Sequence, residues 1–196
     1  MKRIALLTFA MLLGIFCYAQ SEHLKFSGIP IGGTINQFQE KLVHKGYSLD
    51  RLINSRLSIG SRAFKGKFIG KNVLLYVYYD EHTKIVYRVK AVMQSLSESI
   101  ADQRYQEIQT MLLQKYDNGY SDEGQHERKP SLSIFPKRYK TYSDEEYDWT
   151  KCYGKIDVFI SKDESYINYP YMFNVHIDYW DQLNLDKHNN KLLDEL

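Results

Sequence analysis

Cysteine is almost absent from this chain, which has two cysteines among 196 residues. Cys17 falls in a stretch that we predict to be removed, so Cys152 would be the single thiol of the mature protein. A lone thiol cannot form an internal disulfide, and an exported domain without disulfides depends on its hydrophobic core for stability. We therefore interpret Cys152 as a small filler residue.

Long apolar runs are also missing, except at the N-terminus. Two basic residues precede the apolar stretch 4–16, which is short for a membrane span, and Cys17-Tyr18-Ala19 offers small residues to a signal peptidase. These features predict a signal peptide over 1–19, a mature chain that begins at Gln20, and export to the periplasm or the cell exterior. Acylation of Cys17 is the alternative, although the bulky Phe16 departs from the lipid-attachment signal.

An excess of charge of one sign is missing as well. The chain has 26 Lys and Arg against 24 Asp and Glu, a formal charge of +2, and removal of Lys2 and Arg3 brings it to zero. A neutral chain lacks the basic surface of nucleic-acid-binding proteins, so we expect no nucleic-acid partner. No second apolar run approaches about 18 residues, so we also expect no membrane span in the mature protein.

Recognised nucleotide motifs are absent, although one stretch invites the comparison. In "GIPIGGTINQF", residues 28–38, three glycines precede a predicted helix, but their spacing matches neither the dinucleotide-binding pattern nor the P-loop. Pro30 also removes an amide donor. Thr34 and Gln37 have the spacing of a capping box. We interpret the stretch as a turn into a capped helix and expect no cofactor.

Apolar spacing predicts a helix followed by strands in the first part of the chain. The helix ends at Gly46 and buries one face; the residues on that face are Ile35, Phe38, Leu42 and Val43. Strand patterns follow at 64–68 and 73–79, and at 85–93 with alternate residues from Ile85 and Tyr87 onward facing inward. A weaker strand is expected between Leu49 and Ile59.

The second part of the chain repeats this order. A longer helix over 99–116 carries a buried stripe of Tyr105, Ile108, Leu112 and Tyr116. The polar stretch 120–136 is interpreted as an extended loop. A polar tail that frays is expected from Asp181. The alternative is that Leu192-Leu193 packs against the domain. Three strand patterns lie between loop and tail, at 139–151, 155–162 and 171–180. The second is expected to face inward with Ile156, Val158 and Ile160, and the third with alternate residues from Tyr171 to Tyr179.

The predicted fold class is α+β, because consecutive strands joined by short turns pair antiparallel and helices outside such a sheet cover one of its faces. We expect a single domain over 20–196 made of two helix-then-antiparallel-strands units. Similar halves at about 26–94 and 97–181 would indicate a duplication. Phe38-Gln39-Glu40 and Tyr105-Gln106-Glu107 echo one another, but the following echoes align only with a gap.

Two stretches resemble a known group of proteins. "FSGIPIGGTINQFQEKLVHKGY" followed by "FKGKFIGKNVLLYVYYDEHTKIVYRVKAVM" resembles uncharacterised exported proteins of Gram-negative gut and oral bacteria, over roughly 26–93. The helix-then-strands order is similar to the β-lactamase-inhibitor-protein-like fold and to the small lipoproteins of outer-membrane protein assembly. This resemblance implies a protein-binding module. Its shared residues are structural glycines and aromatics, so it implies no active site.

Three candidate reactive groupings have weak support from the sequence. Cys152 with His176 would be the nucleophilic pair of a hydrolase, but neither lies in an activating motif. His176 and Asp178 share a strand face, yet a metal site needs further ligands that the spacing does not supply. The acidic run 144–148 would have to supply converging carboxylates for glycoside hydrolysis. We therefore predict no catalytic residue and no metal site.

Aromatic residues are abundant, with 17 tyrosines, nine phenylalanines and two tryptophans. Several occupy the strand positions that alternate with the predicted core positions, and such residue types are enriched at protein interfaces. We predict a binding surface on this face of the sheet, made of Tyr76, Tyr78, Arg88, Phe159, Met172, His176 and Trp180. The expected ligand is a protein or peptide. A small molecule or glycan stacked on the same aromatics is the alternative.

Overall fold

The computed structural model describes residues 23–117, 120–127, 129–137, 152–163 and 171–194. Its strands are β1 (Lys25–Phe26), β2 (Ile29–Pro30), β3 (Ser48–Leu49), β4 (Ser61–Phe68), β5 (Lys71–Tyr79), β6 (Val86–Leu96), β7 (Tyr120–His126), β8 (Lys129–Phe135), β9 (Gly154–Lys162) and β10 (Phe173–Asp181). Its helices are α1 (Ile35–His44), α2 (Arg51–Asn54), α3 (Glu98–Lys115) and α4 (Gln182–Asp194).

One antiparallel sheet of eight strands organises the fold, in the order β3-β4-β5-β6-β10-β9-β8-β7. The last strand of the first part, β6, therefore pairs with the last strand of the second part, β10. From that central pair the strand numbers decrease outward on both sides. Two α-then-strands units joined along their last strands would give this symmetrical order. The sequence duplication itself stays a prediction.

The hydrophobic core lies between one face of the sheet and the helices. Alternate strand residues that include Val77, Val89, Ile177 and Ile156 are fully buried there. Helix α1 contributes Ile35, Phe38 and Leu42, and α3 contributes Ala101, Tyr105, Ile108 and Leu112. The predicted α+β class, with helices packed to one side of an antiparallel sheet, is confirmed.

The entry into α1 follows the sequence prediction closely. The Thr34 amide donates to the Gln37 side chain at 3.0 Å, and the Gln37 amide donates to the Thr34 hydroxyl at 3.4 Å, which completes the capping box. Gly46 follows the helix with φ of +87°, a backbone conformation that glycine adopts without a Cβ penalty. Val43 is 53% exposed, so its predicted burial is wrong.

The weak strand expected over 49–59 is replaced by a two-residue strand and a short helix. Asp50 follows β3, and its carboxylate accepts from the amide of Ile53 at 3.0 Å, which caps the first turn of α2. The Asn54 side chain then donates to the carbonyl of Ala63 at 2.7 Å. These side-chain to backbone hydrogen bonds hold α2 against β4. Apolar alternation carries no signal for such bonds, so the sequence predicted a strand instead.

The extended loop predicted over 120–136 is a β-hairpin made of β7 and β8. Leu132 and Ile134 alternate with Ser131 and Ser133, and both apolar residues are buried. Pro130 lies beside the hairpin turn, where a strand tolerates it. Strand β7 is polar because it forms the edge of the sheet, and this composition concealed the hairpin.

A register shift in β6 changes which residues face the core. The pairing of β5 with β6 is irregular between Tyr78 and Tyr79, as in a β-bulge. As a result Val86 is fully buried, and the inward orientation expected for Ile85 and Tyr87 is wrong. Tyr87 is half-buried and its ring stacks on His188 of α4, with 4.4 Å between the centroids.

The tail expected from Asp181 onward is ordered as α4. Asp181 is fully buried, and its carboxylate accepts from the amides of Leu24 at 2.8 Å and Asn184 at 3.0 Å and contacts His23 Nδ1 at 3.0 Å. The Asn184 side chain donates to the carbonyls of Ile31 and Val86. These long-range bonds fix the start of α4, which explains why a polar sequence forms a helix here.

The remaining strand predictions have mixed outcomes. Strand β9 buries Ile156, Val158 and Ile160 as expected, whereas Tyr171, expected inward, is 75% exposed before β10. The predicted signal peptide over 1–19 and the predicted strand over 139–151 lie outside the described residues. No helix in the described part of the chain is both long and apolar enough to cross a membrane.

We expect Asn184→Ala to destabilise the fold by about 2 kcal/mol, because the buried carbonyls of Ile31 and Val86 would lose their donor. Urea denaturation followed by circular dichroism would measure the change. Asn189→Ala, an exposed position of the same helix, is the matched control and should change stability by less than about 0.5 kcal/mol. Equal effects of the two substitutions would contradict this role for Asn184.

Candidate functional site: a polar-aromatic sheet face

The sheet surface opposite α1 and α3 carries a continuous set of aromatic and charged side chains. They alternate along the strands with the buried core residues, and the strand register places them side by side. We call this surface the polar-aromatic face. It consists of Tyr76, Tyr78, Arg88, Lys90, Lys155, Asp157, Phe159, His176, Asp178 and Trp180.

Aromatic and cationic side chains alternate in one row across four strands. Tyr78 pairs with Arg88, Arg88 with Trp180, and Trp180 with Lys155. The Arg88 guanidinium carbon lies 4.5 Å from the Tyr78 ring centroid and 3.7 Å from that of Trp180, while the Lys155 amine lies 6.0 Å from Trp180. These separations are within the range of cation–π attraction, so the row holds its side chains as a stack.

A nearly buried ion pair fixes the centre of that row. Arg88 Nε donates to one carboxylate oxygen of Asp178 at 2.8 Å, and Nη2 donates to the other at 2.5 Å. The Asp178 side chain is only 4% exposed. Burial alone would lower the pKa of Arg88, but the hydrogen bonds and charge of Asp178 raise it above its ordinary value. The bidentate geometry therefore fixes the guanidinium plane between Tyr78 and Trp180.

A second stack lies four residues before Trp180 along β10. The rings of His176 and Phe159 are nearly parallel, at 12° with 4.6 Å between centroids, and His126 tilts onto Phe159 at 4.5 Å. His176 Nε2 is 2.8 Å from the Ser161 hydroxyl. The buried His176 Nδ1 and Trp180 Nε1 find no hydrogen-bond partner in the described part of the chain.

The environment of His176 keeps its imidazole neutral. Burial lowers the pKa of His176 to about 3, and the positive charges of Lys90 and His126 contribute in the same direction. The ring therefore stays uncharged at physiological pH and acts as a flat, mainly apolar surface beside Phe159.

Lys90 differs from the other cations of the face in having no carboxylate partner. Its amine lies 5.4 Å from the Phe159 ring centroid, and it forms no hydrogen bond or salt bridge within the described ranges. Lys155 by contrast contacts Asp157 at 2.8 Å. Burial lowers the pKa of Lys90, and the positive field of Arg88 adds to that effect while Asp178 opposes it.

Two of the three reactive groupings considered from the sequence are not assembled among the residues that the structure describes. Cys152 forms an isolated β-bridge with Lys137 and precedes the first residue of β9, Gly154. His176 is the Cα partner of Phe159, which lies five residues after Gly154 and so about 16 Å further along β9. No group of three or more metal-ligating side chains occurs among the residues that the structure describes. The acidic run 144–148 lies outside them.

Most of the predicted binding residues come together, but in two groups. Tyr78, Arg88 and Trp180 form the first stack, and Phe159 and His176 form the second. Tyr76 lies between them in register, as the Cα partner of Lys90. Met172 lies one residue before β10, where its carbonyl accepts from the Asp163 amide, and it belongs to neither stack.

Sequence reasoning missed several members of the site. Lys90 and Lys155 follow the same two-residue alternation as Arg88 and Phe159, so the strand pattern could have found them. Asp178 was considered only as a metal ligand, because the sequence does not reveal its pairing with Arg88 across two strands. His126 could not be found, since its strand was interpreted as a loop.

Removal of either partner of the Arg88–Asp178 pair should destabilise the fold strongly. We expect Asp178→Asn or Arg88→Met to lower the free energy of unfolding by about 3 kcal/mol, because each leaves a buried charge unpaired. The double variant should recover part of this loss, and urea denaturation of the four proteins would give the coupling energy. Glu107→Gln, which removes the partly exposed Arg104–Glu107 pair on α3, should leave the free energy of unfolding nearly unchanged. Additive single-variant effects would contradict a coupled pair.

His176 should make the fold sensitive to mild acid. A histidine whose pKa is lowered to about 3 in the folded state contributes full stability above its unfolded pKa and loses that contribution as the pH falls toward the folded value. We expect a loss of about 2 kcal/mol between pH 7 and pH 5.

The measurement is urea denaturation of the wild type, His176→Phe and His44→Gln at both pH values. Phenylalanine keeps a ring against Phe159 without a titrating group, so His176→Phe should lose most of this pH dependence. His44 is exposed on α1, and His44→Gln should retain it. The same pH dependence in His176→Phe would show that another group is responsible.

Comparison with protein-family models, with curated proteins and with solved structures found no match to the chain. The similarity to exported inhibitor-like proteins therefore stays a prediction. The function has to be argued from the polar-aromatic face itself.

Proposed function

We propose that this protein is a non-enzymatic, exported binding module that holds a protein or peptide against its polar-aromatic face. The observation that carries the proposal is the Tyr78–Arg88–Trp180 stack, which lies on the sheet face left uncovered by α1 and α3. Tyrosine, tryptophan and arginine are the residue types most enriched among the energetically dominant positions of protein interfaces.

Preorganisation of these side chains supports the proposal. The guanidinium of Arg88 donates two hydrogen bonds to Asp178 and contacts the rings of Tyr78 and Trp180. A partner that contacts this stack would immobilise few additional rotamers, so less of the binding energy would be spent on side-chain ordering. A broad surface spanning β5, β6, β10 and β9 also suits a macromolecule better than a small ligand.

A non-catalytic role is consistent with the ionisable groups on the face. Burial holds His176 neutral and raises the pKa values of Tyr76 and Tyr78, so none of the three is poised to exchange protons near neutral pH. Both carboxylates of the face are engaged with cations.

One observation favours a second candidate, a glycan or other small ligand. A cavity of about 350 Å³ lies beside Trp180 and is also lined by Lys155, Gln182 and Leu185. A sugar ring stacked on the indole would fit a site of this size. Such a ligand would depend on Trp180 and Leu185 and would be insensitive to Tyr76, which lies on β5 away from the cavity.

The test is affinity capture from extract of the producing cells, with the wild-type protein and Trp180→Ala, Tyr78→Ala and Tyr76→Ala variants immobilised separately. We expect proteins retained by the wild type to be lost from the Trp180 and Tyr78 variants, and purified partners to bind these variants about 30-fold more weakly. Circular dichroism would verify that each variant is folded.

Tyr171→Ala is the matched control, because Tyr171 is exposed but precedes β10. It should retain the same proteins as the wild type. Unchanged affinity of the Tyr76, Tyr78 and Trp180 variants would contradict a sheet-face interface. Loss of glycan binding with Trp180→Ala and Leu185→Ala, without effect of Tyr76→Ala, would favour the second candidate.

A further inference from the structure

The charges of the polar-aromatic face do not balance. It carries three cations, Arg88, Lys90 and Lys155, and two carboxylates, Asp157 and Asp178. Asp178 is taken by Arg88, and Asp157 contacts Lys155 and also accepts from the Ser133 hydroxyl at 2.6 Å. Both carboxylates therefore have local partners, and the ammonium group of Lys90 is the unmatched charge.

The position of Lys90 makes this unmatched charge unusual. Lysine ammonium groups normally stay in water or pair with a carboxylate when they are partly removed from it. Lys90 is half-buried in the centre of the sheet, between Tyr76 on β5 and Asp178 on β10. Its contact in the described structure is with the face of Phe159.

We propose that Lys90 receives a carboxylate from an acidic segment of a partner protein, at the junction between the Tyr78–Arg88–Trp180 stack and the Phe159–His176 stack. This inference rests on the proposed function and specifies the chemistry of the partner. An aspartate or glutamate side chain would supply the missing negative charge while its neighbours contact the aromatic rings on either side.

The surroundings of Lys90 admit such a carboxylate. The nearest negative group, Asp178, is neutralised through both oxygens by Arg88 and so repels an incoming anion weakly. His176 stays neutral and His126 packs on Phe159, so the neighbouring rings present flat surfaces. Partial burial of Lys90 strengthens an ion pair relative to one in water.

An acidic protein segment fits better than a polyanion. Nucleic-acid binding requires several cations aligned to contact successive phosphates. Here Arg88 and Lys155 already have carboxylate partners, so Lys90 is the one cation of the polar-aromatic face that lacks such a partner. A single carboxylate flanked by apolar or aromatic residues is the chemistry that matches one cation between two aromatic stacks.

The probe is a phage-displayed library of random peptides of about 12 residues, long enough to cross the face in an extended conformation. It would be selected on immobilised wild type, Lys90→Met, Lys90→Glu, Trp180→Ala and Lys41→Met. Lys41 is exposed on α1 and serves as the matched lysine control. Selected acidic peptides and their amide counterparts, with Asp→Asn and Glu→Gln, would then be compared by fluorescence anisotropy.

We expect aspartate and glutamate to be enriched in peptides selected on the wild type and on Lys41→Met. The acidic peptides should bind about tenfold more tightly than their amide counterparts, and Lys90→Met should abolish that difference. Lys90→Glu should select lysine-containing and arginine-containing peptides instead. This reversal distinguishes recognition by Lys90 from a general effect on stability.

The contrary outcomes separate the two proposals. Peptides that depend on Trp180 but show no acidic preference, or whose preference survives Lys90→Met, would overturn the inference and leave the proposed function standing. Peptides unaffected by Trp180→Ala would overturn both. Sedimentation velocity of the protein alone tests a further alternative. A dimer that Lys90→Met disrupts would show that the face binds a second copy of the chain, and this result would contradict a separate acidic partner.

Discussion

Pairing of β6 with β10 is the interaction on which the rest of the structure depends. It is the junction between the two helix-then-strands parts, and every other strand of the eight-stranded sheet is added outward from it. The Arg88–Asp178 ion pair crosses this junction on one face, and Val89 and Tyr179 pack beneath it on the other. The same strand pair therefore supports both the core and the candidate site.

The site follows from this junction through strand register. Once Arg88 is opposite Trp180, the two-residue alternation of antiparallel strands sets every further neighbour across β5, β6, β10 and β9. The ion pair then fixes the guanidinium so that rings stack on both of its sides. Because that interaction occupies Asp178, Lys90 has no carboxylate in salt-bridge contact among the described residues, and this unmatched charge is a consequence of the pairing at the centre of the sheet.

Local sequence signals predicted the elements that local physics determines. The Thr34–Gln37 cap and the alternation of Ile156, Val158 and Ile160 depend on residues close in sequence, and both were confirmed. The helix at the end of the chain was missed because its first turn is fixed by Asn184, which bonds to residues 98 or more positions away. At the site, aromatic positions followed from alternation, whereas the pairing of Arg88 with Asp178 required the strand order.

The Asp181 carboxylate joins two parts of the chain that are 157 and 158 residues apart, since it holds Leu24 and His23 beside the first turn of α4. A tensile force applied between the segment at His23 and helix α4 would therefore act on the buried hydrogen bonds of Asp181 before it reached the strands. The sheet, with its polar-aromatic face, would be shielded from the force until those hydrogen bonds broke. A carboxylate that is far from the candidate site thus sets the threshold at which pulling on the chain would disturb it.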